Sequence, residues 1–205
     1  MNLGNLKQAE NQFLLRYAGG FDNPEILELR KKHRILKLVE TTQELFEEKN
    51  FYNVDQIVAA MVKVVSRSSM VSLFEKPKFR DFVKSLHDTE KEALAQALYE
   101  QLYGDQAYGF EQMINLLRIE KLAKWTLVSV IPFYFRPEKE VFVKPTTTKG
   151  IIQQLEIELV YKPQPSWAFY KKYRQTINKA KRNVDRSLRS NNAAFCGFLM
   201  MSKNL

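Results

Sequence analysis

The chain has 205 residues, of which 45% are hydrophobic and 27% are charged, and its formal net charge is +9. This composition is that of an ordinary globular protein, and the chain is long enough for one large domain or two small ones. The single cysteine, Cys196, excludes an internal disulfide and fits a reducing compartment.

No part of the sequence predicts a membrane or secretory segment. The first residues, MNLGNLKQAENQ, are polar and lack the apolar h-region of a secretory signal. The longest apolar run, 127–135, is broken by Ser129 and Pro132 and is too short to cross a bilayer as a helix. We therefore expect a soluble, cytoplasmic protein without a membrane partner.

The first 125 residues predict about six helices. One covers Lys7 to Tyr17, and the next begins at Pro24 behind the N-cap Asn23 and extends to about Lys49, with a break near Glu40 as the alternative. Further helices are expected to begin near Asn53, which has N-cap character, and near Thr89, which has capping-box spacing to Glu92. The other two are placed at 79–86 and 110–125 by their apolar periodicity.

The long helix after Pro24 is apolar on two sides. Its two faces are Ile26, Leu29, His33 and Leu36 on one side, and Ile35, Val39 and Phe46 on the other. A helix of this kind lies at the centre of a bundle or at a subunit interface. A protein-interaction module or homo-oligomer is therefore one functional alternative.

The residue types change after Trp125. The segments TLVSVIPFYF, EVFVK and LEIELVYK are rich in β-branched and aromatic residues and predict short strands, although 126–135 is equally compatible with a buried helix. The expected fold is mainly α, a multi-helix bundle with a small α+β or irregular C-terminal part. We expect a helical domain over 1–125 and a C-terminal subdomain over 126–205, packed together as one compact unit.

Positive charge is concentrated in the C-terminal tail. From Lys162 to Leu205 there are ten basic residues and one acid, Asp185, which gives this segment +9 and leaves the remainder neutral. Such an asymmetry indicates nucleic acid, another polyanion or an acidic protein as the partner.

A basic amphipathic helix is predicted over 166–189, with Ser166 as its cap. Its packing stripe is apolar and consists of Tyr170, Tyr173, Ile177, Ala180, Val184 and Leu188. The opposite side carries the six cations of the predicted polyanion-binding site, which we call the cationic ridge: Lys171, Lys172, Lys179, Arg182, Arg186 and Arg189. Gln175 and Asn178 lie on or beside this ridge, within reach of base edges or phosphates.

A second candidate anion site is the segment KPTTTKG. It comprises Lys144, Thr146, Thr147, Thr148 and Lys149. Free backbone N–H groups at a helix start attract anions, and threonine hydroxyls add donors. The spacing is not that of a P-loop, and we favour the simpler interpretation that Thr146 or Thr147 caps a helix.

The sequence contains no strong motif for a catalytic, cofactor or metal site. Two groups place carboxylates near a lysine and would suit a metal-dependent nuclease, a remote alternative: Glu138, Glu140 and Lys144, and Glu156, Glu158 and Lys162. His33 and His87 have no partner at zinc-ligand spacing, and Cys196 lies among apolar residues as an inert thiol does.

The sequence thus favours a non-enzymatic binding protein whose cationic C-terminal helix contacts nucleic acid or another polyanion with little sequence specificity. It requires no cofactor. Phe133, Tyr134 and Phe135 could stack on bases, but such a dense aromatic run is more typical of a core.

Overall fold

The computed structural model of the protein describes residues 1–33 and 35–203. Within these ranges the chain forms eleven α-helices and three short 3₁₀ helices, and no β-strand. The α-helices are α1 (Leu3–Arg16), α2 (Pro24–His33), α3 (Ile35–Leu45), α4 (Val54–Arg67), α5 (Glu75–Ser85), α6 (Asp88–Leu102), α7 (Gln106–Ile119), α8 (Trp125–Phe135), α9 (Pro145–Gln154), α10 (Trp167–Arg182) and α11 (Asn192–Ser202). The 3₁₀ helices are Gly20–Asp22, Glu48–Tyr52 and Arg186–Leu188. None of the described helices is both long enough and apolar enough to cross a membrane.

The predicted mainly α fold is confirmed, whereas the α+β form of its C-terminal part is wrong. The segment 126–135 belongs to α8, in which every residue from Trp125 to Tyr134 is buried. A helix buried on all sides shows no polar face, so its sequence lacks the helical period and resembles a strand. The other two predicted strands, EVFVK and LEIELVYK, form no ladder in the described residues.

The helix starts follow their capping residues in most places. Asn53 caps α4, and its side chain accepts a hydrogen bond from the Gln56 N–H at 3.1 Å. The capping box predicted at Thr89 and Glu92 is found two residues earlier: α6 begins at Asp88 behind the N-cap His87, and the Glu90 carboxylate accepts from the backbone N–H of His87 at 2.8 Å. The long helix predicted after Pro24 corresponds to two elements, α2 and α3, on either side of residue 34, which lies outside the described residues, and α3 ends at Leu45.

The chain divides into two compact units. The first contains residues 1–35, 136–162 and 168–205, and the second contains 36–135 and 163–167. The first unit has 20 basic and 9 acidic residues, a net charge of +11, whereas the second has 12 basic and 14 acidic residues, a net charge of −2. All of the positive excess therefore belongs to the first unit.

The second unit is built from α3 to α8, and α6 and α7 approach each other closely. At the contact lies Gly109, where an added Cβ would stand 2.5 Å from the Gln101 nitrogen and 2.7 Å from the Ala97 oxygen. Both atoms are backbone, so no side-chain movement could relieve the clash. The absence of a side chain at this position is what permits the close packing of the two helices.

The first unit brings together the two ends of the chain. Phe13 of α1 packs edge-on against Phe198 of α11, with ring centroids 5.3 Å apart. The buried Glu10 carboxylate accepts from the Asp185 backbone N–H at 2.5 Å and pairs with Lys7 at 2.6 Å. The N-terminal helix therefore depends on the last part of the chain for its packing.

Candidate polyanion-binding surface

The apolar stripe predicted along the basic segment is confirmed as a packing surface. All six of its residues are at most 2% exposed: Tyr170, Tyr173, Ile177, Ala180, Val184 and Leu188. Burial of two tyrosines, an isoleucine and a leucine supplies several kcal/mol of apolar stabilisation, at roughly 1.5–3 kcal/mol for each large side chain. This side of the segment is therefore unavailable to a partner.

The helix itself is shorter than predicted, because α10 ends at Arg182 and not at Arg189. The Asp185 side chain accepts from the Ser187 N–H at 2.8 Å and starts the 3₁₀ helix Arg186–Leu188. The side chain of Asn183 donates back to the Lys179 carbonyl at 2.7 Å, which satisfies a carbonyl of the last turn. Val184 and Leu188 remain buried although they lie outside the helix.

All six cations of the ridge are exposed to solvent. Four of them lie on α10 and two follow it: Arg186 in the 3₁₀ helix and Arg189 just after it. On α10 the cations from Lys171 to Arg182 extend over about 16 Å, at 1.5 Å per residue. Arg189 is already engaged, since its guanidinium donates to the Val184 carbonyl at 2.7 and 2.5 Å.

The other five ridge cations form no ion pair with any acid in the described residues: Lys171, Lys172, Lys179, Arg182 and Arg186. Asp185 is the sole acid between Lys162 and Leu205, and its carboxylate is held by Ser187. Those hydrogen bonds lower the pKa of Asp185 below its ordinary value. The ridge therefore presents positive charge that is not neutralised locally.

A buried polar network anchors α10 on its flank. The Glu140 carboxylate, 5% exposed, accepts from Arg174 at 2.7 and 2.8 Å and from the Tyr170 hydroxyl at 2.8 Å. Burial, followed by the charge of Glu140, raises the pKa of Tyr170 well above its usual value, so this hydroxyl stays protonated and donates. The network fixes α10 against the segment that follows α8.

Asn178 belongs to this structural framework and not to the exposed ridge. Its side chain donates to the Lys139 carbonyl at 2.8 Å and accepts from Asn192 at 3.0 Å. Lys181 likewise donates to the Glu138 carbonyl at 2.7 Å. The prediction that Asn178 reaches a base edge or phosphate is therefore not compatible with its contacts, whereas Gln175 is exposed.

The threonine segment forms the first turns of α9. Pro145 occupies the first helical position and Lys144 is the N-cap residue, so neither Thr146 nor Thr147 is the cap. Lys144 and Thr146 are exposed, but Thr148 is fully buried. Lys149 is also exposed, and its ammonium group lies 5.1 Å from the centre of the Tyr161 ring.

Thr148 faces the buried side of α10. Its hydroxyl lies close enough to Tyr173 to lower the pKa of that phenol, although burial has the larger, opposite effect. Neither hydroxyl forms a hydrogen bond of standard geometry with the described residues. Because Tyr173 is on the packing stripe and the ridge is on the opposite side of α10, the threonine segment and the ridge do not converge on one site.

Glu140 and Glu156, each from one of the two predicted nuclease groups, are held in structural contacts. Glu140 forms an ion pair with Arg174, and Glu156 accepts hydrogen bonds from the side chains of Asn2 and Asn5 at 3.0 and 3.3 Å. No group of three acidic, histidine or cysteine residues with metal-binding geometry occurs in the described part of the chain. His87 is exposed, and the side chain of His33 lies outside the described residues.

The thiol of Cys196 is buried at 7% exposure, as its apolar neighbours indicated. Burial raises its pKa to about 12. Phe133 and Tyr134 are fully buried, so they are core residues and cannot stack on bases, while Phe135 is half-buried. Beside the six cations of the ridge, Gln175 is the predicted base-contacting residue that is exposed.

The sequence did not indicate the Glu140–Arg174 pair, since its members lie 34 residues apart and no local pattern joins them. The one available signal is the position of Glu140 at the start of the apolar segment EVFVK, because a buried acid requires a partner. In comparisons with known proteins, no protein family, no curated protein and no solved structure matches this chain.

Proposed function

We propose that the protein is a non-enzymatic binding protein whose cationic ridge contacts nucleic acid with little sequence specificity. The observation that carries the proposal is the set of five exposed ridge cations without an acidic partner, in a unit of net charge +11. Lysine and arginine side chains on an exposed helix neutralise phosphates and release counterions, a driving force that is independent of base sequence.

The side chains of the ridge support low specificity. Base recognition in a groove uses amides or guanidinium groups held in bidentate geometry, and no acidic partner orients the exposed guanidinium groups of Arg182 and Arg186 in the described residues. Asn178 is engaged with Lys139 and Asn192, so Gln175 is the one exposed amide on this side of α10. Contacts would therefore be made mainly to the phosphate backbone, and duplexes of different sequence should bind alike.

The experiment is a fluorescence-anisotropy titration of labelled mixed-sequence duplex DNA and RNA over a series of salt concentrations. If five cations each neutralise one duplex phosphate, the slope of log Kobs against log salt is about −4.5. A matched variant carries Lys179→Glu and Arg182→Glu, and it should lose most of the affinity at low salt. Undetectable binding at low salt, or a slope near zero, rejects the proposal.

An assembly role is a second proposal, and two exposed leucines of α2 support it. Leu27 and Leu29 are 39% and 42% exposed, while Ile26 of the same helix is buried. Sedimentation velocity at micromolar concentration tests self-association, and Leu29→Ser should dissociate any oligomer in which Leu29 is at the interface. A monomer at all concentrations rejects a homo-oligomer. A cytoplasmic location and an acidic protein as partner likewise remain proposals.

A further inference from the structure

A groove of about 510 Å³ lies in the second unit, between the 3₁₀ helix Glu48–Tyr52 with the start of α4 and the exposed side of α6. Its lining combines aromatic and small apolar side chains with a few polar ones: Phe51, Val54, Thr89, Glu92, Ala93, Ala95, Gln96 and Tyr99. A groove of this size, with an apolar floor and few polar groups, has the character of a binding site for a side chain or short peptide.

The floor of the groove is a fixed aromatic cluster. The rings of Phe51 and Tyr99 meet edge to face with centroids 5.4 Å apart, and Tyr103 packs against both at 6.0 and 5.6 Å. The Tyr99 hydroxyl donates to the Glu48 carboxylate at 2.8 Å, which holds its ring in place. Next to the floor, Tyr52 is 85% exposed. Aromatic surfaces of this kind attract cations as well as apolar groups.

The segments that build the groove are strongly acidic. Residues 47–55 and 88–100 contain seven acids and two lysines, a net charge of −5 in a chain whose net charge is +9. Lys91 is paired with Asp55 at 3.0 Å and with Asp88 at 3.3 Å, and Lys49 with Glu47. Glu92, on the wall of the groove, is exposed and forms no ion pair in the described residues.

We propose that this groove binds a basic, amphipathic peptide segment of a partner protein, with an aliphatic side chain on the aromatic floor and lysine or arginine side chains against the acidic wall. Charge complementarity selects this occupant, since the net charge of −5 repels nucleic acid. The proposal is independent of the cationic ridge, because its residues belong to the other unit.

The experiment mixes the intact protein with a fluorescein-labelled peptide of Lys-Leu-Leu-Lys repeats. Binding is measured as the change in fluorescence anisotropy at low and moderate salt. The charge-reversed peptide of Glu-Leu-Leu-Glu repeats is the comparison probe. Ala93→Arg places a large cation in the groove and should raise the Kd by at least about tenfold, which corresponds to 1.4 kcal/mol. Glu92→Gln should raise it by about threefold and weaken the salt dependence.

The matched control is Ala59→Arg, which adds the same charge at an exposed alanine of α4 that does not line the groove. It should leave the Kd within about twofold of wild type. Circular dichroism and thermal unfolding establish whether each variant folds. If Ala93→Arg does not fold, Glu92→Gln still tests the proposal.

The proposal is overturned if Ala93→Arg and Ala59→Arg weaken the lysine peptide equally, or if the glutamate peptide binds as well as the lysine peptide. It is also overturned if wild type sediments as a dimer that Ala93→Arg dissociates, because a second copy then covers the groove. Duplex binding should be the same in wild type and Glu92→Gln. A failure of this proposal therefore leaves the function proposed for the ridge unaffected, and the reverse also holds.

Discussion

Arg174 donates through a single nitrogen, Nη1, to both carboxylate oxygens of Glu140, at 2.7 and 2.8 Å. The side chains are 18% and 6% exposed, so the pair is largely removed from water. The segment that follows α8 is thereby held to α10, whose far side presents the ridge. Removal of the cation would take both of the Arg174 hydrogen bonds from this buried carboxylate, while the Tyr170 hydroxyl would still donate to it.

We predict that Arg174→Met destabilises the protein by about 3–5 kcal/mol, the usual cost of breaking a buried ion pair. Urea unfolding at neutral pH measures the loss. The exposed pair Arg80–Asp81 provides the control, and Arg80→Met should change stability far less. The double variant Glu140→Gln with Arg174→Met should be more stable than Arg174→Met, and the opposite order would contradict an uncompensated buried charge.

Two glycines inside helices should respond oppositely to alanine. At Gly109 an added Cβ meets backbone atoms of α6 at 2.5 and 2.7 Å, so Gly109→Ala forces the two helices apart. We expect a loss of about 1–3 kcal/mol, as for other overpacked cores. At Gly197 in α11 no atom lies within 4 Å of the added Cβ, so Gly197→Ala should gain up to about 1 kcal/mol from helix propensity.

Thermal unfolding of the two variants separates these effects. The melting temperature should fall for Gly109→Ala and rise or stay constant for Gly197→Ala. Equal changes at both positions would show that the close approach of α6 and α7 does not depend on the missing side chain.

Cys196 should be unreactive in the native protein. Its pKa of about 12, against a model-compound value of 9.0, lowers the thiolate fraction near pH 8 by roughly a thousandfold, and burial also blocks access. Reaction with Ellman's reagent should be complete in guanidinium chloride and negligible in buffer. Rapid labelling of the folded protein would show that α11 opens locally.

Ionisation of the same thiol should make the folded protein less stable as the pH rises into the alkaline range. Its pKa is higher in the folded than in the unfolded protein, so the stabilisation is fully present below about pH 9 and is lost as the pH rises towards 12. Tyr170 and Tyr173 also have raised pKa values and act in the same direction. The free energy of unfolding of Cys196→Ala should therefore fall less steeply with pH than that of wild type between these pH values.

A single ridge lysine should act through its charge alone. Lys179→Ala should weaken binding to all duplexes alike and make the salt slope shallower by about one unit. Lys63→Ala, at an exposed lysine of α4 in the other unit, is the matched control and should leave both quantities unchanged. Equal effects of the two substitutions would indicate attraction by net charge and no defined surface.

Removal of the acid Asp185 should strengthen duplex binding, in contrast to removal of a ridge lysine. Asp185→Asn removes the acid but keeps a side-chain oxygen that can accept from Ser187, so it should bind duplex more tightly with little change in stability. Asp185→Ala removes the charge and the cap together. It should be less stable than wild type above about pH 4, and this difference should shrink as the pH falls and the carboxylate of wild type is protonated.

Patterns within one segment were sufficient to predict much of the helical structure. The stripe from Tyr170 to Leu188 is buried as its spacing indicated, and Asn53 caps α4. The end of α10 was placed too late because Val184 and Leu188 continue the helical spacing, while the Asp185 cap that interrupts it is a local hydrogen bond. For α8 the sequence allowed a strand or a helix, since complete burial removes the polar face that would distinguish them.

Features that join distant segments were not predictable in this way. The pairing of Glu140 with Arg174 and of Asn178 with Asn192 depends on which segments meet in the fold, and no local pattern indicates the partner of either residue. The groove near Phe51 arises similarly, from two acidic segments that are about 40 residues apart in the sequence and adjacent in the folded unit.

The discontinuous first unit has a consequence for synthesis on the ribosome. Residues 36–135 of the second unit emerge before most of the first unit exists, so that unit can begin to fold early. Helix α1 must wait, because Phe13 packs on Phe198 and Glu10 binds the Asp185 N–H. The residues of α1 therefore leave the exit tunnel well before the segments against which they pack, and they reach their native contacts only after α11 has been synthesised.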